Sequence, residues 1–208
     1  DPYLDNLKRE LKVLMVDAPN ETKNIRVINK LISDYKKLST NVYSEYSDDV
    51  LIKELIEFAG EEAVWQASML DDAIDSAAFN LATASPAQAW AAVVSEPLIF
   101  PDSNGVKMLQ PFIKDWESKQ IDNVGNIIRT GFMTGRTNQQ ITQDIAGKGG
   151  YLQNQNRSSI KTMVRTATTH TSNLARQATF DANSDIILGY EWVSTLDIRT
   201  SSVCKGLD

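Results

Sequence analysis

The sequence predicts a mainly α-helical chain, built from long amphipathic helices with a small β element near the C-terminus. Three observations predict it. Apolar residues recur at three- and four-residue spacing along most of the 208 residues, which is the period of helices that bury one face. Cap and stop signals, among them Ser85-Pro86, Thr137-x-x-Gln140 and Gly147, fall where those stripes begin and end. Only Leu98-Ile99-Phe100 and the run from Tyr190 to Thr195 carry β character.

Taken in order, Leu4, Leu7, Leu11 and Leu14 form a first short stripe after Pro2, and Ala18-Pro19-Asn20 stops it, because proline suits the first turn of a helix but not its interior. A longer stripe starts at Thr22 and carries Ile25, Ile28, Leu31, Ile32, Tyr35, Leu38, Val42 and Tyr46 on one side, with lysines among the polar positions. Ser47 is expected to cap a third helix, with Asp48 and Asp49 at the positive end of its dipole; Leu51, Leu55, Phe58, Trp65 and Met69 are its expected apolar stripe. Ser85-Pro86 opens an Ala-rich helix that ends at Glu96-Pro97, and its small residues would let neighbours approach closely.

Leu98-Ile99-Phe100 followed by Pro101-Asp-Ser-Asn-Gly105 reads as a brief strand or extended link, and the main boundary is placed there. It divides the chain into an N-terminal helical region (1–97), a linker (98–105) and a second helical module (106–208). In that module Phe112, Trp116, Val124, Ile127, Ile128 and Phe132 mark a long helix, weakly interrupted by Gly125 and Gly131 and stopping near Thr134-Gly135. A short helix with Ile141 and Ile145 follows a Thr-x-x-Gln capping box and ends at Gly147. Lys148-Gly149-Gly150 reads as a flexible joint. A last long helix carries Ile160, Met163, Val164, Ala167, Thr171, Leu174, Ala175 and Ala178, and the alternation of Tyr190 to Thr195 reads as a terminal strand.

Composition bounds the function classes. With 42% hydrophobic and 23% charged residues the chain has the balance of a folded protein rather than a disordered one. The stretch poorest in charge, from Ala77 to Ser95, contains Asn, Thr, Ser and Pro86, so no membrane span of about twenty apolar residues is expected; nor is a signal peptide. The net charge of −6 is unevenly held: up to Ser103 there are 9 Lys+Arg against 18 Asp+Glu, and beyond it 12 against 9, giving −9 and +3. The acid gathers from Glu45 to Asp75, relieved by Lys53 alone. Such a run is either a solvated helix face or a surface that repels nucleic acid and meets a basic protein partner.

The C-terminal stretch Gly189-Tyr-Glu-Trp-Val-Ser-Thr-Leu-Asp-Ile-Arg-Thr-Ser-Ser-Val-Cys-Lys-Gly-Leu-Asp208 resembles the signature of the phage head morphogenesis family, the Mu F-like minor head proteins. Its pattern is a strand with a Trp, then Asp-x-Arg-Thr, then Cys and Leu-Asp; Trp192, Asp197, Arg199, Thr200, Cys204, Leu207 and Asp208 fall in register. Gly131-Phe-Met-Thr-Gly135 with the turn after it, and Met163-Val-Arg-Thr166, are similar to upstream family elements, so the resemblance spans about residues 110 to 208. Where the family often has Glu after that Arg-Thr, this chain has Ala167. The resemblance implies a minor capsid protein of a tailed bacteriophage, found in the virion head interior and, during assembly, in the host cytoplasm. Its implied partners are the portal protein, the scaffold or major capsid protein, and the packaged genome, with self-association a further expectation. It also implies a zinc knuckle beyond the Leu-Asp. One thiolate, Cys204, cannot supply the roughly four ligands of a tetrahedral site, so no cofactor is expected unless further residues contribute ligands.

Read physically, Asp197 and Arg199 are expected to fix a turn and cross-link neighbouring chain rather than to catalyse, and His170 has no relay around it. The four tryptophans, being scattered, read as packing anchors. Arg157, Lys161 and Arg165 stand at i, i+4 and i+8, with Thr168, Ser172 and Arg176 continuing the stripe. A row of this kind can track phosphates of double-stranded DNA without reading sequence, or it is an ordinary solvated face. Two rival readings are a nucleic-acid-processing or toxin-like enzyme module and a helical assembly scaffold that never enters a virion.

Overall fold

The computed structural model describes residues 2–16, 18–19, 24–74, 81–100, 105–187 and 189. The expected terminal strand and the motif residues Trp192, Asp197, Arg199, Thr200 and Cys204 lie outside the described residues. The protein is mainly helical, as its periodicity predicts. Its helices are α1 (Pro2–Val16), α2 (Ile25–Ser44), α3 (Ile52–Ala73), α4 (Pro86–Ser95), α5 (Leu109–Met133), α6 (Asn138–Ala146) and α7 (Arg157–Asp181). A hairpin of β1 (Leu98–Phe100) and β2 (Gly105–Lys107) pairs antiparallel, Ile99 opposite Val106. The extended reading of Leu98–Phe100 is thus a strand, and its partner begins at Gly105.

The caps form as their chemistry dictates. Ser85 and Gln88 exchange both bonds of a capping box ahead of α4, and Thr137 and Gln140 do the same ahead of α6. Each box satisfies backbone amides that a helix start leaves bare. The α1 C-terminus is held by Asn138, whose Nδ2 donates to the carbonyls of Met15 and Ala18.

Between α2 and α3 the expected break and Ser47 cap are absent. The chain runs on through a π-helical turn, Glu45–Leu51, and Ser47 is buried, its hydroxyl donating to the Glu117 carboxylate on α5. A buried partner 70 residues away in sequence outweighs the local capping preference.

One cluster of buried side chains draws on all seven helices and β1. α2 packs on α5, α1 on α2 and α6, and α3 on both α4 and α7. The 98–105 segment therefore joins two stretches of chain that share a core. Along α3 the buried positions are Leu55, Ala59, Gly60, Ala63 and Ala67, while Trp65 and Met69, expected in its apolar stripe, are 48% and 44% exposed. The face turned to α4 and α7 admits only small side chains: a Cβ on Gly60 would lie 3.2 Å from Pro86 of α4. Gly125 and Gly131, which read as weak interruptions, mark similarly close approaches of α5 to Ile32 and to Ile141.

Lys148-Gly149-Gly150 is a tight wrap rather than a flexible joint. Gly150 is buried, its N–H donates to the Gly147 carbonyl at 2.9 Å, and the next amide, Tyr151 N–H, donates to Asp144 O at 2.8 Å. Gly149 takes φ +79°, the left-handed conformation open to glycine. These bonds close the end of α6 and deliver the chain into a second π-helical turn, Leu152–Asn156, that leads into α7.

Candidate functional site

The cationic row is carried by α7, whose buried face (Met163, Ala167, Thr171, Ala175, Thr179) anchors it against the core. Arg157, Lys161 and Arg165 are exposed on its outer side, and among the described residues none of them pairs with a carboxylate. At 1.5 Å rise per residue the three cations span about 12 Å. Residues 145–180 contain no Asp or Glu, so a carboxylate that pairs with a cation of this stretch must come from another element.

Arg176, the fourth expected member, is placed differently. Its Nε donates to the Glu62 carboxylate on α3, and its guanidinium lies 4.8 Å from the centre of the Trp65 ring, within cation–π range. Ser172 Oγ, on the same stripe, donates to Glu62 at 3.1 Å. The C-terminal half of the stripe therefore ties α7 to α3, and the cations of the stripe without a carboxylate partner among the described residues are Arg157, Lys161 and Arg165. Sequence spacing aligns the four but does not show that a carboxylate from α3 reaches the last.

Most of the acidic run is solvated. Asp48, Asp49, Glu54, Glu57, Glu61, Asp71 and Asp72 are exposed, Asp49 pairing with Lys53 at 3.1 Å and Asp48 with Lys114 of α5 at 3.2 Å. Exposed pairs of this kind contribute about 0–1 kcal/mol. Asp75 lies outside the described residues.

His170 is half-buried and bonds across to α4: its Nε2 lies 3.2 Å from the Val93 carbonyl oxygen. A carbonyl only accepts, so this nitrogen carries the proton. Among the described residues no three His, Cys, Asp or Glu side chains gather as a metal site would need, and no helix is long and apolar enough to cross a membrane.

A polar chain at the junction of α5 with the start of α7 is the feature that sequence reading missed. Asn123 Nδ2 donates to Tyr151 OH at 2.8 Å, Tyr151 OH donates to Gln120 Oε1 at 2.7 Å, and Gln120 Nε2 donates to Ser159 Oγ at 3.0 Å. The Trp116 indole N–H reaches the same Ser159 oxygen at 2.8 Å. Behind it, Asn156 Nδ2 donates to Tyr43 OH at 2.6 Å. The signal available was chemical: Gln, Asn and Tyr at positions where helical spacing calls for apolar residues.

Comparison with protein-family models, with curated proteins and with solved structures finds no match for this chain.

Proposed function

We propose that this protein is a minor head component of a tailed bacteriophage that works by binding rather than by catalysis. In this reading the outer face of α7 holds double-stranded DNA without sequence preference, while its other helical faces dock to the portal, the scaffold or the major capsid protein. The observation that carries the DNA contact is the exposed row of Arg157, Lys161 and Arg165, without a carboxylate partner among the described residues, on a helix with no acid before Asp181. The virion role rests on the resemblance of residues 110–208 to the head morphogenesis family.

Each strand of B-DNA presents a phosphate about every 3.4 Å along the axis, so a 12 Å row faces three or four of them. Three phosphate contacts release about three counterions and give a slope of log K against log salt near −2.7. The experiment is a duplex-DNA titration between 50 and 200 mM salt with the full chain and with the Arg157→Ala/Lys161→Ala/Arg165→Ala variant. The variant should lose most of that slope, and an unchanged slope would remove the proposed contact. Mass spectrometry of purified phage particles tests the virion role, which fails if mature heads lack the protein.

A further inference from the structure

A cleft of about 440 Å³ opens between the hairpin, α5 and the start of α7, a size typical of small-ligand sites. One wall is aromatic. Phe100 of β1 stacks on Phe112 of α5 with ring centres 5.4 Å apart and planes 29° from parallel, and Trp116 also lines the cleft, its ring fixed by the bond to Ser159.

A polar edge adjoins the aromatic wall and is pre-set. Ser159 Oγ already accepts from Trp116 and Gln120, which uses both lone pairs of the hydroxyl. Its own O–H meets no acceptor among the described residues, so it remains as a donor at the cleft wall. The two cations that line the cleft differ in state. Lys107 is paired with Asp115, whereas Lys119 has no carboxylate partner among the described residues, so the lining carries one net positive charge.

We propose that this cleft binds a small planar aromatic molecule bearing an anionic group. The ring lies against Phe100, Phe112 and Trp116, an acceptor atom takes the Ser159 hydroxyl, and the anion sits at Lys119. Stacking fixes the plane of the ligand, and the two polar contacts fix its direction. The cleft is separate from the cationic row, since Ser159 lies about 160° around the helix from Lys161 at 100° per residue.

Two sources share this chemistry, a nucleotide and an aromatic carboxylate, and paired probes distinguish them. The full-length protein is titrated by calorimetry with 5′-AMP and its neutral twin adenosine, and with 4-hydroxyphenylacetate and its neutral twin 4-methylphenol. At least one anion should bind saturably and about 3- to 10-fold more tightly than its twin; which anion does so names the source. Lys119→Gln should abolish that preference. Phe100→Leu, at a half-buried position, should weaken binding about 5-fold or more while its far-UV circular dichroism matches the parent's. Lys12→Gln, at an exposed lysine of α1 that lines no part of the cleft, should change nothing. The proposal is overturned if neither anion binds at about 10 mM, if Lys119→Gln and Phe100→Leu leave binding intact, or if Lys12→Gln weakens it equally.

Discussion

Replacing Gly131 with alanine sets two known effects against each other. In a helix interior alanine is favoured over glycine by about 0.8–1.0 kcal/mol. Here, however, the added Cβ would stand 2.5 Å from Cγ1 and 2.8 Å from Cδ1 of Ile141, a side chain of α6 with no exposed surface. Cγ1 is not a free end, so Ile141 must leave its rotamer or α6 must move away from α5. Overpacking of a closed core costs about 1–3 kcal/mol, and a contact this far inside van der Waals distance belongs in the upper part of that range. Gly131→Ala should therefore destabilise the protein by about 1–2 kcal/mol. Ile141→Ala alone should cost about 2–5 kcal/mol, but in that background the obstacle is gone and Gly131→Ala should stabilise by about 0.5–1 kcal/mol. Urea unfolding followed by far-UV circular dichroism measures the four proteins, and a coupling near 2 kcal/mol is expected. If Gly131→Ala destabilises equally in both backgrounds, the close α5–α6 approach is not what requires the glycine.

Three further outcomes follow from buried backbone and polar groups. Gly150→Ala places a Cβ 2.9 Å from the carbonyl oxygens of Gln143, Asp144 and Ile145; a backbone cannot yield as a side-chain tip can, so thermal denaturation should show a loss of about 2–3 kcal/mol. Asn183, almost fully buried, clamps the 81–85 segment to the end of α7: its Oδ1 accepts from Ala82 N–H, and its Nδ2 donates to the Ala82 and Thr179 carbonyls, all at 2.7 Å. Asn183→Asp keeps the shape but turns an acceptor toward two acceptors, and should cost about 3 kcal/mol or more in urea unfolding; an aspartate variant as stable as the parent would contradict this amide orientation. Burial raises the hydroxyl pKa of both Tyr35 and Tyr43 above the ordinary value of 10.0, their proximity adding to the rise at Tyr43. Above pH 10 the unfolded chain sheds these protons while the native state keeps them, so stability is intact below pH 10 and falls above it by about 1.4 kcal/mol per pH unit for each tyrosine. Tyr46 and Tyr151 are raised by burial as well, so Tyr35→Phe should remove one tyrosine's share, about 1.4 kcal/mol per pH unit, from the total slope, and an unaltered slope would show that Tyr35 does not hold its proton.

What was legible in the sequence is what local physics determines. The helix stripes of α1, α2, α5 and α7, the capping box at Thr137, the stop at Gly147 and the strand at Leu98–Phe100 all emerge from spacing and turn chemistry. What was illegible needed a partner from far along the chain. Ser47 has the composition of a cap, yet Glu117 claims its hydroxyl. Trp65 has the hydrophobicity of a core residue, yet α3 turns its small side chains inward and leaves the indole to Arg176. Arg157, Lys161 and Arg165 could be placed on one face by arithmetic, but the capture of Arg176 by Glu62 joins residues 114 apart. The polar chain from Asn123 to Ser159 was hidden for the same reason, since its members stand in α5, beside the second π-helical turn and in α7.

The seam of Ala59, Gly60, Ala63 and Ala67 along α3 bears on how this protein can drift over generations. At those four sites almost every alternative residue is too bulky, so saturation mutagenesis under selection for folding should return little besides Gly, Ala and Ser. One step around the same helix, Glu57, Glu61 and Val64 face solvent and should accept nearly anything. Descendants of this chain would then be recognisable by a row of tiny residues at fixed intervals long after the acidic character of the outer surface had been rewritten.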